Sequence, residues 1–454
     1  MNVSILGTGY VGLTTGVCLA FLGHKVACAD ADEKKIAMLE GGGVPFYEPH
    51  LVDLIEEARC NLKFTTDYAQ AVPGSQVVFI AVGTPPGANG APNLKYLQAA
   101  ARGIGENLSE GFTVVVNKST VPIGSGNWVG SLLREAFEAR NGRKAAGSFA
   151  VASNPEFLRE GSALHDSLYP DRVVIGADEA QTAEVLYTLY RPILDQTFQA
   201  PRYLPRPEQL GAVPLISTDL ASAELIKYAA NAFLALKISY INEIGLLSEK
   251  VGADIVQVAK GIGLDQRIGT RFLQAGIGWG GSCFGKDTAA LLATANEYGL
   301  EMPIVSAARE VNRRQRERVV DKLLGELRIL KGRSIGLLGL AFKPNTDDLR
   351  EAPAISIARN LIERGARVKA HDPVAMDRFR AEHPDLEVVC CATAEEVAQD
   401  ADAIVLVTEW PQYLELDWEA VARSMRNKIV LDGRLALDRA RMSRAGLKYV
   451  GMAC

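Results

Sequence analysis

The chain has 454 residues, 48% hydrophobic and 23% charged, with a formal net charge of −5 and no long basic run; this suggests about three soluble domains and argues against nucleic acid as a partner. Seven cysteines, among them the adjacent Cys390-Cys391 and the final Cys454, and only five histidines give neither a disulfide framework nor zinc-ligand spacing, so no metal is expected. No apolar run reaches the roughly 20 residues of a membrane span, and a strand-like run begins within two residues of Met1, leaving no room for a signal peptide; the expectation is a cytoplasmic protein in a reducing compartment.

Residues 3–6 read as a short buried strand that runs into Gly7-Thr8-Gly9-Tyr10-Val11-Gly12. An apolar helix follows to about Leu22 and is stopped by Gly23, and a second strand, 25–29, ends on Asp30. This is the dinucleotide fingerprint in its strand–turn–helix context, with the acid 18 positions beyond the last glycine. Gly7 permits the turn, Gly9 lets a pyrophosphate approach the backbone, and Gly12 allows close helix packing. A carboxylate at Asp30 accepts from a ribose 2′-OH and repels a 2′-phosphate, which favours NAD over NADP.

Further strands are expected at 77–82, 113–117, 149–152 and 172–175, with helices at 94–108 and 124–139 between them. Such alternation argues for a doubly wound parallel sheet, whose ligands sit at the carboxyl ends of its strands. Three clusters occupy those ends: Gly83-Thr84-Pro85-Pro86, Lys118-Ser119-Thr120-Val121-Pro122, and Asn154-Pro155-Glu156-Phe157-Leu158-Arg159-Glu160-Gly161. The hydroxyls of Thr84 and Thr120 are candidate cofactor contacts, although Ser or Thr beside Pro is also ordinary turn chemistry.

From 217 to 251 runs one long helical pattern without proline, with Ser217 or Thr218 as its cap and Gly252 past its end. Lys227 and Asn231 are four apart and share a face. On a stretch of small and apolar neighbours they make a donor pair for negative charge developing on oxygen; a snorkelling lysine on a solvated face is the plainer alternative. A helix this long is expected to link two domains and pack against a second subunit. The loop Gly276-Ile277-Gly278-Trp279-Gly280-Gly281-Ser282-Cys283-Phe284-Gly285-Lys286-Asp287 reads as a tight turn delivering Cys283 to a helix start. A helix N-terminus and the Lys286 ammonium favour the thiolate there. The next helical stretch, 304–330, carries Arg309, Arg313, Arg314, Arg316 and Arg318, most of which are expected on a solvated or subunit-facing surface.

The last third repeats the first loosely. Residues 334–342 form a strand entering a glycine turn, and further strands are expected at 367–371, 403–407 and 428–431. The fingerprint is reduced to a GxxG, and its turn is extended through residues 343–351, where Lys343 and Arg350 can reach phosphate or ribose oxygens. The fold class is therefore α/β: two doubly wound, Rossmann-like domains (1–210 for NAD, 326–454 for a nucleotide carried by the substrate) and a central helical domain, 211–325, with the cysteine loop.

Taken together, residues 7–12, 154–163, 224–243, 278–287 and 342–351 resemble, in order and over essentially the whole chain, the UDP-glucose/GDP-mannose dehydrogenase family. Ala232-Phe233 after Asn231 and Phe284 after Cys283 are similar to the UDP-glucose-oxidising members rather than to the GDP-mannose enzymes. The resemblance implies a double oxidation of a sugar C6 alcohol to a carboxylate by a homodimer using two NAD⁺, through a thiohemiacetal and a thioester on Cys283. It implies that Lys227 and Asn231 steady the oxyanion, that Asp287 and Thr120 handle protons, and that Glu156 assists thioester hydrolysis. It also implies cofactor contacts from Gly7, Gly9, Tyr10, Val11, Gly12, Asp30, Lys35, Thr84, Thr120, Glu160, Lys286 and Arg350. The substrate contacts implied are Glu156, Phe157, Leu158, Arg159, Glu160, Lys227, Asn231, Phe272, Leu273, Gln274, Ala275, Gly276, Gly280 and Lys343, with Arg267 acting across the dimer interface. Gly285 stands where that family usually has proline, which loosens the turn after Cys283.

Three rival readings remain: the same chemistry on GDP-mannose or a UDP-N-acetylhexosamine, a hydroxyacid dehydrogenase performing one oxidation, and a nucleotide-sugar sensor without catalysis.

Overall fold

Short apolar runs such as Val77–Ile80, buried at every residue, are stable only when both sheet faces are covered, which is the signature of parallel strands under helices. The computed structural model describes residues 1–85, 87 and 90–453; Pro86 and Cys454 lie outside the described residues. The chain divides into two compact units, Met1–Ala230 with Ala289–Tyr298, and Asn231–Thr288 with Gly299–Cys454.

The first unit contains an eight-stranded sheet. Its strands are β1 (Asn2–Leu6), β2 (Lys25–Ala29), β3 (Leu62–Thr65), β4 (Val77–Ile80), β5 (Thr113–Asn117), β6 (Phe149–Ser153), β7 (Val173–Ala177) and β8 (Leu215–Thr218). Their order is β3-β2-β1-β4-β5-β6-β7-β8, so the winding direction reverses between β1 and β4, the place where doubly wound sheets bind ligands. All pairs are parallel except β6 with β7. The link from β6 to β7 holds only the short helix Ala163–Leu168 and no crossover helix, so β7 runs back alongside β6.

The second unit repeats the motif with β9 (Ser334–Leu338), β10 (Arg367–His371), β11 (Val388–Cys390), β12 (Ala403–Leu406), β13 (Ile429–Asp432) and β14 (Lys448–Gly451). This sheet is wholly parallel, in the order β11-β10-β9-β12-β13-β14. The two glycine turns are built alike. Gly7 has φ of 101° and donates to Ala29 O at 2.7 Å, and Gly339 has φ of 100° and donates to His371 O at 2.9 Å. Glycine is required at both, because a Cβ on Gly7 meets Ala81 O at 2.6 Å and one on Gly339 meets the Thr408 side chain at 2.3 Å.

The long helix is Leu220–Val251, 32 residues, with Gly252 at φ of 73° beyond it. Its start differs from the sequence expectation. Ser217 and Thr218 belong to β8, and the cap is made by Asp219, whose carboxylate accepts from the Ser222 N–H at 2.8 Å and hydroxyl at 2.7 Å. A β-branched, hydroxyl-rich tetrapeptide extended the sheet instead of capping the helix. Among the described residues no helix is long and apolar enough to cross a membrane.

The fingerprint glycines make opposite predictions. A Cβ on Gly12 falls 1.9 Å from Gly7 O, whereas one on Gly9 meets nothing within 4 Å. Gly12→Ala is therefore expected to destabilise the chain by about 1–3 kcal/mol, the usual size of an overpacking penalty, and Gly9→Ala by under ~0.5 kcal/mol. Urea unfolding of the two variants checks this.

Candidate active site

The first unit gathers its polar side chains at the carboxyl ends of β1, β4, β5 and β6. The helix Tyr10–Phe21 starts at the glycine turn with no side-chain cap, leaving N–H groups for an anion. Asp30 sits beside this start: its Oδ2 accepts from the Thr8 N–H at 2.7 Å and hydroxyl at 2.8 Å, and its Oδ1 from the Asp32 N–H at 3.0 Å. Lys35 Nζ lies 3.8 Å from Oδ2. Half-burial raises the Asp30 carboxyl, but these donors together hold it below the usual range, so it is ionised and Oδ1 keeps a lone pair for a ribose hydroxyl. The open side of Gly9, the uncapped helix start and the ionised acid fit a dinucleotide.

Tyr10 is engaged by a residue that the motif reading missed. Its hydroxyl donates to the buried Glu48. Glu48 also accepts from the Gly161 N–H at 2.6 Å and the Ala163 N–H at 2.7 Å. Burial raises the Glu48 carboxyl despite these bonds. Glu48 thereby ties the fingerprint helix to the loop carrying Glu160. No motif flags it; the nearest sequence signal is an acid within the turn-rich stretch Val44-Pro45-Phe46-Tyr47-Glu48-Pro49.

The loops after β5 and β6 meet at one buried ion pair. Lys227 Nζ lies 3.0 Å from Glu156 Oε1, with both side chains buried. Glu156 Oε2 accepts from the Leu158 N–H at 2.6 Å. Burial pushes the Glu156 carboxyl up, and Lys227, that N–H and Lys118 together bring it below its ordinary value. Lys227 and the Arg172 guanidinium both stand over the Phe157 ring, at 5.4 and 3.8 Å from its centre. The Thr84 hydroxyl donates to Thr120 O at 2.9 Å, joining two of the strand-end loops. Thr120, Lys118 and Lys227 line one small cavity with Glu224. Arg159 is bidentate on Asp166, at 2.9 and 2.6 Å.

In the second unit Cys283 occupies the position just before the helix Phe284–Glu297, and its carbonyl accepts the Asp287 N–H at 2.8 Å. The thiol is partly exposed and lies 3.7 Å from the Ser282 hydroxyl. Asp287 is buried; its Oδ2 accepts from Asn231 Nδ2 at 2.6 Å, and its Oδ1 lies 3.1 Å from Lys286 Nζ.

The helix Pro303–Leu327 braces this loop, so Arg309, Arg316 and Arg318 are engaged within the unit, where most of the helix's arginines were expected on a solvated or subunit-facing surface. Arg309 donates to Gly285 O at 2.6 Å and the Thr288 hydroxyl at 2.7 Å. Asn312 accepts from the Trp279 N–H at 2.7 Å and donates to Trp279 O at 3.0 Å. Gln315 donates to Gly276 O at 2.8 Å, and Arg316 to Trp279 O at 3.1 Å and Glu351 O at 3.0 Å. Arg318 pairs with Glu249 at 2.6 Å. Only Arg313 and Arg314 behave as surface side chains, on Glu310 and Glu317. A glycine-rich loop leaves many backbone groups without secondary-structure partners, and buried ones must find side chains. The spacing 309, 312, 315, 316 was the available signal, a polar stripe on one helix face.

Leu273, Ala275, Gly276 and Gly280 are buried, Gln274 is exposed, and Phe272 has φ of 65°. The Gly276 N–H donates to Asn242 at 2.8 Å, and a Cβ on Gly280 would meet Glu351 O at 2.5 Å. Lys343 Nζ stands 5.4 Å from the Phe342 ring centre, and Arg350 chelates the buried Asp348 at 2.8 Å. Arg267 is 89% exposed and is held by Asp265 at 2.6 Å.

Comparisons with known proteins agree with this anatomy. Residues 1–194 match the NAD binding domain of the UDP-glucose/GDP-mannose dehydrogenase family, 221–314 its central domain and 336–439 its UDP binding domain. A UDP-glucose 6-dehydrogenase of Bacillus subtilis is 45% identical over 450 residues, covering 99% of this chain and 92% of that protein. Another, from Rhizobium meliloti, is 43% identical over 461 residues, 100% and 99% of the two chains. Among solved structures, a UDP-glucose dehydrogenase from the hyperthermophilic archaeon Pyrobaculum islandicum is 41% identical with a TM-score of 0.88, covering 99% and 97%. A UDP-D-ManNAc dehydrogenase from Pyrococcus horikoshii is 27% identical with a TM-score of 0.83, covering 100% and 99%.

Gly285 is not required by packing. A Cβ there would meet Glu351 at 3.6 Å and Trp279 at 3.9 Å, ordinary contacts. Gly285→Ala is expected to stabilise the chain by about 0.4–1 kcal/mol through reduced freedom of the unfolded state, read as a rise in the urea midpoint at unchanged slope.

Proposed function

The chain belongs to the UDP-glucose/GDP-mannose dehydrogenase family, and we propose that it oxidises the C6 alcohol of UDP-glucose to the carboxylate of UDP-glucuronate. The observation that carries the reading is Cys283, a partly exposed thiol at a helix start in a braced loop, within a chain similar over its whole length to UDP-glucose 6-dehydrogenases. NAD⁺, when bound, accepts one hydride in each of two oxidations.

The residues divide the remaining work. The glycine turn with Asp30 binds the dinucleotide, assisted by Tyr10, Val11, Lys35, Thr84, Glu160, Lys286 and Arg350. Asp287, with Thr120, takes the hydroxyl proton as the alcohol becomes an aldehyde. Cys283 then adds through sulfur to the aldehyde carbon, and Lys227 and Asn231 donate to the oxygen that gains charge. Covalent capture holds the aldehyde until the second oxidation gives the thioester. Glu156 aids attack of one water on that thioester, which releases the carboxylate and returns the thiol. An ionised Glu156 already bound to Lys227 is oriented for this before substrate arrives. Segment 272–276, Phe157 to Arg159, Gly280 and Lys343 hold the nucleotide sugar. The reading places the enzyme in the cytoplasm, where Cys283 persists as a thiol.

A homodimer is supported by the long helix, where Phe233, Tyr240 and Leu247 recur every seven residues on one face at 61%, 49% and 59% exposure. Arg267, exposed and held by its neighbour Asp265, is the side chain proposed to act in the other subunit. The same chemistry on GDP-mannose or a UDP-N-acetylhexosamine is the rival substrate reading.

Purified protein with UDP-glucose is expected to form two NADH per substrate, with at least ~10-fold lower kcat/KM for the two rival nucleotide sugars, an order typical of pocket discrimination; a single NADH or preference for a rival sinks the assignment. Cys283→Ser should abolish UDP-glucuronate formation and leave NAD affinity near normal, as read by product chromatography and NADH titration. Leu247→Asp combined with Phe233→Asp is expected to give a monomer in light scattering.

A further inference from the structure

Lys118 lies outside every role assigned above, yet it is a buried cation beside the proposed reacting groups. It follows β5 directly. Its Nζ donates to Asn154 Oδ1 at 2.8 Å and lies 3.5 Å from the Tyr190 hydroxyl, which donates to the same oxygen at 2.6 Å. The Phe79 and Tyr190 rings flank it at 5.7 and 5.9 Å.

The titratable groups around Lys118 come from three elements. Glu156 lies in the loop after β6, Lys227 and Glu224 on the long helix, and Tyr190 on the helix Ala180–Leu194. Glu224 is buried and accepts from the Gly124 N–H at 2.6 Å, the Gly126 N–H at 2.9 Å and the Ser153 hydroxyl at 3.1 Å. Lys118, Lys227, Glu224, Ser153 and Thr120 line one cavity with Asn117, whose buried side-chain atoms have no partner among the described residues. Two buried carboxyls thus share two ammoniums, and burial raises the Glu224 carboxyl against its three donors. Without Lys118 only Lys227 would face both, and buried negative charge opposes any further anion. With Lys118 present, the Lys227 charge is not wholly consumed by its neighbours.

We propose that Lys118 is a positioning residue for the oxidation: its buried ammonium balances Glu156 and Glu224, leaving the Lys227 ammonium to stabilise an oxyanion on the substrate. The proposal rests on the reading of Lys227 given above. Burial brings the Lys118 ammonium down to about 8, with Lys227 adding to the effect and Glu156 opposing it. The sign follows: the charge is present below that pH and lost as pH rises through it. Turnover should therefore fall on an alkaline limb near pH 8.

The test is the pH profile of kcat for the parent and for Lys118→Met and Lys118→Arg. Lys118→Met is one atom shorter but unbranched and leaves Asn154 Oδ1 its Tyr190 donor, so folding is expected to survive, checked by Tm. Its kcat at pH 7 should fall on the order of tenfold, below the 10²–10³ of a direct oxyanion donor because the effect acts through Lys227, with KM for NAD unchanged and the limb near pH 8 gone. Lys118→Arg, charged at every accessible pH, should regain much of the kcat and stay active above pH 9. A limb near pH 8 that persists in both variants, or parent kcat in the Met variant, overturns the proposal. Lys227→Met separates the two claims: its own loss of turnover upholds the reading of Lys227, and if it turns over at the parent rate both fall together.

Discussion

A buried carboxylate needs a cation or a set of hydrogen-bond donors beside it, and the candidate site is organised by that constraint. Glu156 is ionised because Lys227 stands 3.0 Å away in the same unit. Taking two charges out of water costs several kcal/mol per ion, and removing one partner of a buried pair typically costs about 3–5 kcal/mol. The pair therefore fixes the loop after β6 to the first half of the long helix. The second unit contains an analogous arrangement: buried Asp287 is held by Asn231 at 2.6 Å and Lys286 at 3.1 Å. The boundary between the units falls between Ala230 and Asn231, so the helix contributes one donor to each carboxylate, and each pairing is internal to its own unit.

The two sheets show how one turn is adapted to two purposes. At β1–β2, Asp30 closes the glycine turn through Thr8 and retains capacity on Oδ1. At β9–β10 the corresponding Asp372 accepts from the N–H groups of Leu340, Ala341, Val374 and Ala375 and from Trp410 Nε1. Those five donors occupy the capacity that a ribose would need. The acid is retained for the turn and withdrawn from ligand recognition. The proposed nucleotide contact of the second sheet accordingly comes from another side chain, Lys343 in the extended turn.

The strands in the interior of each sheet were legible in the sequence, as at 77–80 and 403–406, and the edge strands were not. β3, β8, β11 and β14 are short, partly polar edge or near-edge strands, for example Leu215-Ile216-Ser217-Thr218, and carry no hydrophobic run to announce them. Among the site residues, spacing was enough for the fingerprint, for the Lys227/Asn231 helix and for Cys283 at a helix start. It was not enough for Glu48 or for Arg309, Asn312 and Arg316. Their partners are backbone groups in loops distant in sequence, and no local pattern encodes such a partner. The arginines were misread for a physical reason: an arginine repeat on a helix usually lies in solvent, and only the demand of an unpaired loop backbone draws it inward.

That demand also explains how a cysteine loop with glycine after Phe284 can stay ordered. Proline at this position restricts the turn by limiting φ, an effect on the unfolded chain as much as on the folded one. Here the restriction comes from outside the loop. Arg309 grips Gly285 O and the Thr288 hydroxyl, and Asn312 clamps both the N–H and carbonyl of Trp279. Such bonds act only in the folded state and leave the freedom of the unfolded chain untouched. The two devices are independent, so the braced loop needs no proline to present Cys283, and restoring a side chain at 285 adds stability without altering the geometry that the helix Pro303–Leu327 imposes.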